Sequence, residues 1–272
     1  MNHNANFPPS FLLLQQEGHL ISSCLALGLT ELRTANVHNK GSFYSSLLNL
    51  SVGMERLLKA IIIMQHMLDN NLSVPTKKQL KNYGHNIIEL YDECVKISVN
   101  NCVTLSDRSS LNNISQEILV LLSNFAQSTR YHNLDALSAQ QTGKDPLEHW
   151  GEIILLILKQ DVTQRQSDKV LGQARMVANA IDDRSITIMQ DLNKQPLTTE
   201  DALALPGLHD QAVKYAVLHI INVLSPIRDL ISTLSHLAYG LGVAQPPFPQ
   251  MQEFLEWIWN DRQYVLRKRK WP

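Results

Sequence analysis

The stretch "SFYSSLLNLSVGMERLLKAIIIMQHMLDNN", residues 42–71, puts apolar side chains on a helix along its whole length. Phe43, Leu47, Leu50, Met54, Leu57 and Ile61 follow one another at steps of three and four, the spacing of one helix face. Leu48, Val52 and Ile62 form a second line beside it, so the rod must be covered on more than one side. Other helices have to supply that cover. Gly53 lies in the middle of the rod, where glycine costs about 1 kcal/mol relative to Ala. A close helix crossing at that point would account for it.

The rest of the chain repeats the helical pattern. Ser10 is positioned to cap a helix that runs to about Leu32, and "NVHNKGS" breaks it. Pro75 opens a short helical turn. Ile87, Leu90, Cys94 and Ile97 mark an amphipathic helix, and residues 111–127 another. Asp145 and Pro146 are suited to the cap and first residue of the next helix. A long helix is expected over 167–192 and a loop over 193–207. His209 to Tyr239 follows as a helix kinked at Pro226. A last helix carries Phe254, Trp257, Ile258 and Val265. Alternating patterns are scarce, and Asn-Gly or Asp-Gly hairpin signals are absent. The fold class expected is therefore all-α. It comprises an antiparallel bundle over residues 8–138, a boundary in "SAQQTGKD", and a further helical layer over 145–272.

Composition narrows the function classes. The formal net charge is −1, which gives no whole-molecule field for nucleic acid or an anionic membrane. The charge is local: "RQYVLRKRKWP" ends the chain with five cations and no acid. Three scattered cysteines suit neither a disulfide framework nor a zinc site. The first residues lack a signal-peptide pattern, and Ala216–Ile231, the most apolar stretch, is interrupted by polar residues. A cytoplasmic protein that does not enter a membrane is expected. Walker, GxGxxG and GxSxG motifs are missing. The histidines stand apart from one another, and His149 with Glu152 has the reverse of the Glu-x-x-His order used in di-iron bundles. No metal or cofactor is expected, and Asp182-Asp183 with Asp191 reads as a solvated face.

"STRYHNLD", residues 128–135, directly follows an apolar helix and gathers Arg130, Tyr131, His132 and Asp135. An Arg holds phosphate bidentately, and a His near neutral pKa moves a proton in 2′-hydroxyl attack on a phosphodiester. Equally, Arg130 would satisfy carbonyls left open at a helix end, with His132 on the surface. Glu55 and Lys59 have the spacing of a helical ion pair. A Glu among apolar neighbours needs a partner, and Arg130 is the candidate. His85 opens the helix after Gly84 as a capping or first-turn residue.

Three segments together resemble the HEPN domains (higher-eukaryote and prokaryote nucleotide-binding). They are Glu55 followed by Leu58-Lys59-Ala60, His85 opening "HNIIELY", and "STRYHNLD", which is similar to an Arg-Tyr-Pro-Asp-like segment after the fourth helix. The resemblance covers residues 8–138 only. It implies a four-helix core that often dimerises, and either a metal-independent ribonuclease or a protein that binds RNA or nucleotides. Partners implied are a nucleotidyltransferase or an antitoxin, as in bacterial defence and toxin–antitoxin pairs. Carried onto this chain, Arg130 and His132 would be catalytic. Arg130, Tyr131 and Lys59 would contact phosphate or nucleotide, with Glu55, His85 and Asp135 in support. The chain departs from the ribonuclease pattern, because a single residue separates Arg130 from His132. Arg33 and His38 do have the ribonuclease spacing, but at the end of the first helix. The alternative is a non-catalytic scaffold or partner-binding protein.

Overall fold

The computed structural model describes residues 7–138, 143–181, 184–243 and 245–272. The centre of the expected domain boundary and the Asp182-Asp183 pair lie outside these residues. Among the described residues the chain is all-α, and the one feature with β geometry is an isolated bridge between Gln190 and Pro196. The helices are α1 (Pro9–Thr34), α2 (Gly41–Asp69), α3 (Lys77–Asn82), α4 (Ile87–Asn100), α5 (Asn113–Gln127), α6 (His132–Leu137), α7 (Pro146–Gln160), α8 (Gln164–Ile181), α9 (Thr199–Tyr239) and α10 (Arg262–Arg267).

The long apolar rod is α2, and α1 lies antiparallel against it. Glycines make their approach close. A Cβ on Gly28 would fall 2.7 Å from Leu50 Cγ, and one on Gly53 would fall 2.8 Å from Leu25 Cδ2. Each glycine thus admits a leucine from the other helix, which accounts for a residue that weakens an isolated helix. Ser46, fully buried, donates its hydroxyl to the Gly28 carbonyl at 2.8 Å beside the crossing. The expected cap at Ser10 does not form, and its hydroxyl instead donates to the Pro247 carbonyl at 3.1 Å.

Between α2 and α4 the chain crosses back, so these two helices run in the same direction. His85 meets Glu55, Cys94 Sγ donates to the Leu58 carbonyl, and Asn101 donates to Gln65. Asn86, rather than His85, caps α4 by accepting from the Ile88 and Glu89 amides. Asp145 caps α7, with Pro146 at its first position.

The C-terminal half differs from the sequence reading in three places. Helix α8 is described as far as Ile181, and residues 185–189 have no regular structure, consistent with the β-branched run Ile186-Thr187-Ile188. Helix α9 begins at Thr199, capped by Thr198, and carries both Pro206 and Pro226 inside it. The final helix is split into a 3₁₀ turn, Met251–Leu255, and the short α10, which Asp261 caps.

One apolar core runs from Leu14 to Trp271 and draws on both expected domains. Helix α9 packs on α1, α2, α5, α7 and α8. By length and composition α9 is apolar enough to cross a membrane, but 61 % of its most apolar window is buried inside the molecule.

Candidate functional site

Arg130 and Tyr131 belong to a 3₁₀ turn, Thr129–Tyr131, that joins α5 to α6, and the next residue, His132, opens α6. The segment is therefore a helical corner rather than a loop. It folds over the start of α2, where Asn133 Nδ2 donates to the Tyr44 hydroxyl at 3.2 Å. Glu55 lies about 16 Å further along that helix at 1.5 Å per residue. The expected Arg130–Glu55 pair is accordingly not formed. Arg130 is exposed, and its guanidinium sits 5.1 Å from the centre of the Tyr131 ring, which is itself exposed. Asp135 lies in the first turn of α6, where a carboxylate favours the helix start.

His132 turns the other way. Its side chain is only 11 % exposed, Nε2 is 3.8 Å from Asp145 Oδ2, and Nδ1 is buried without a hydrogen-bond partner among the described residues. Asp145 also accepts from the Leu147 amide at 2.9 Å and from Lys194 Nζ at 2.8 Å. Burial pushes the Asp145 carboxyl up, but the hydrogen bonds from Lys194 and Leu147 outweigh it and hold the group below the usual carboxylate range. Burial, aided by the Asp145 charge, raises the Tyr44 phenol. Asp145 thus remains ionised at neutral pH and ties the corner, α7 and the loop before α9 together. No local spacing announces the Lys194 contact, since its partner lies 49 positions away.

Glu55, Lys59 and His85 do come together. Glu55 is 16 % exposed and accepts from Lys59 Nζ at 2.8 Å. Its two oxygens lie 3.0 and 3.1 Å from His85 Nδ1, which must carry a proton to donate there. Lys59 also donates to the Gly84 carbonyl at 2.6 Å. This trio fastens the segment before α4 to the middle of α2. Lys59 is thereby separated from Arg130 and Tyr131, with which it was expected to share a phosphate.

The isolated histidines have partners of their own. His149 Nε2 lies 2.9 Å from Glu117, and His219 Nε2 lies 2.9 Å from Asp161. Trp150 Nε1 donates to His209 Nε2 at 3.4 Å. Burial drives the His209 pKa down to about 4, so its ring is neutral at physiological pH. Among the described residues no group of three His, Cys, Asp or Glu side chains is arranged to hold a metal ion.

No protein-family model, curated protein or solved structure matches this chain.

Proposed function

We propose that this chain is a HEPN-like helical protein that binds RNA or nucleotides through the Arg130–Tyr131 corner. The observation that carries the reading is the exposed guanidinium over an exposed phenol ring. Such a pair offers donors for a phosphate and a face on which a base stacks. Binding without cleavage is the form of this reading that the geometry favours. His132, the proton carrier a ribonuclease would need, faces the Asp145 carboxylate rather than the surface occupied by Arg130. The measurement is fluorescence anisotropy of labelled single-stranded RNA in EDTA, with product length followed in the same samples. Arg130→Ala and Tyr131→Ala each weaken binding about tenfold, from the roughly 1–3 kcal/mol carried by a stacked base, and the RNA stays intact. Equal binding by both variants and the parent would remove the reading, and metal-free cleavage lost in His132→Ala would replace it with a ribonuclease.

The partner-binding alternative has its own observation. Leu13, Leu20 and Leu27 are exposed on α1 at seven-residue spacing, with the exposed, uncharged Gln16 and Ser23 beside them. An apolar stripe at this period fits a second helix, from another copy or another protein. Sedimentation of the parent and of a Leu20→Glu variant separates the cases. A dimer dissociated by the substitution supports self-association.

A further inference from the structure

Arg33 is an unusual buried residue. It sits in the last turn of α1, is 5 % exposed, and its Nε has no hydrogen-bond partner among the described residues. Its Nη1 donates to Asp210 Oδ1 at 3.1 Å. A charge-assisted donor buried without an acceptor is costly. Part of its placement has a local cause, because a cation in the last turn offsets the partial negative charge of the helix end. Arg269 has no such cause. It arrives from the far end of the chain, with Nη2 3.7 Å from the same Asp210 oxygen. Trp271, two residues on, is buried, and its amide donates to Thr30 Oγ1 at 2.9 Å, so the segment is anchored against α1. Two guanidinium groups therefore face one carboxylate. Lys214 is near enough to feel both groups: burial and the Arg33 charge push its ammonium pKa down, and Asp210 offsets part of this.

These groups border a cavity of about 200 Å³ lined by Arg33, Asn36, Pro206, His209, Asp210 and Arg269. The Trp150 indole can only donate, so it fixes His209 Nε2 as the acceptor. The proton of the neutral ring is then on Nδ1. Among the side chains lining this cavity the charge surplus is positive, two guanidiniums against one carboxylate.

We propose that the Arg33–Arg269 cavity is a binding site for a phosphate group, held between the two guanidiniums in competition with Asp210. The site is separate from the Arg130–Tyr131 corner and does not rest on the RNA reading. Phosphate suits it because each guanidinium presents parallel donors to two oxygens of one anion. The phosphate comes either from the inorganic ion or from a nucleoside monophosphate.

The test is calorimetric titration of the whole protein with inorganic phosphate and, separately, with adenosine 5′-monophosphate. Chloride at matched ionic strength is the control. Arg269→Ala removes an exposed side chain and leaves the core intact; phosphate affinity falls about tenfold or more, the range of one charge-assisted hydrogen bond. Asp210→Asn removes the competing charge, and affinity rises several-fold. The opposite signs separate a binding role from simple destabilisation, which would weaken binding in both variants. Tighter binding of the nucleotide than of the ion identifies a nucleotide site, and equal binding identifies the phosphate group alone; both support the proposal. Heats no larger than those of chloride, or phosphate binding indifferent to both substitutions, overturn it.

Discussion

Glu55 and Arg130 show how differently two charged residues of one presumed pair are used. Glu55 is mostly buried and serves two partners, so Glu55→Ala leaves Lys59 and His85 without their acceptor. Removing one member of such a network costs about 1–3 kcal/mol, measurable by urea denaturation. Arg130 lies exposed on its neighbour's ring, and Arg130→Ala changes stability by no more than about 0.5 kcal/mol. The Glu55–Lys59 contact was legible from four-residue spacing alone. The His85 contact was not, because the course of the crossing segment from 70 to 86 decides which residue reaches Glu55. The Arg130 error has the same origin: sequence spacing does not say which end of α2 the corner covers. His209 offers a pH test at this scale. Its pKa falls from an ordinary 6.5 to about 4 on folding, so the unfolded chain binds more protons between those values. Stability therefore rises with pH across that window and is lost on acidification through it, with a slope of roughly 1.4 kcal/mol per pH unit from this one group. Thermal melts between these pH values in the parent and in His209→Phe isolate the contribution, since the variant lacks the slope.

The α1–α2 crossing inverts the usual helix rule for glycine. In an open helix, Gly→Ala stabilises by up to about 1 kcal/mol. Gly172 on α8 is such a position, with no atom within 4 Å of an added Cβ. At Gly28 the same methyl would meet Leu50 Cγ at 2.7 Å and the Leu50 amide nitrogen at 2.9 Å, and backbone does not yield cheaply. Gly28→Ala and Gly53→Ala are each expected to lower stability by about 1–3 kcal/mol, and Gly172→Ala to raise it, in one denaturation series. At this scale most of the fold was legible. Helices α2, α4, α5 and α7 carry clean apolar periodicity, and Gly53 pointed to its own crossing. The misreadings lie where local signals compete with packing. Pro206 argued for a loop, yet α9 continues through it while Gly207 packs against Val170. Around Ile186 and Ile188 the periodicity continued on paper, but those side chains are almost fully exposed and nothing packs the segment into a helix.

At the scale of the molecule, the two ends of the chain are parts of one construction. Phe254 covers Gly18 so closely that an added Cβ would fall 2.3 Å from its ring. Trp257 Nε1 donates to Ser22 Oγ at 2.9 Å, and the Trp271 amide reaches Thr30. Residues 254–271 therefore run along α1 from Gly18 to Thr30, and the contacts are too far apart in sequence for any local pattern to announce them. The basic run at the C-terminus is visible in the sequence, whereas its delivery of Arg269 to Arg33 depends wholly on this return. Because Leu25 and Trp271 belong to the same continuous core, damage at either place is felt by the whole. Trp271→Ala removes a buried indole and costs about 3 kcal/mol, and Leu25→Ala costs about 2–5 kcal/mol. Both should shift one cooperative transition, with helix content and tryptophan fluorescence melting together. A variant in which residues 8–138 keep their melting temperature while the remainder unfolds earlier would mean that the two halves fold separately. The return segment would then be an attachment to the bundle instead of part of its core.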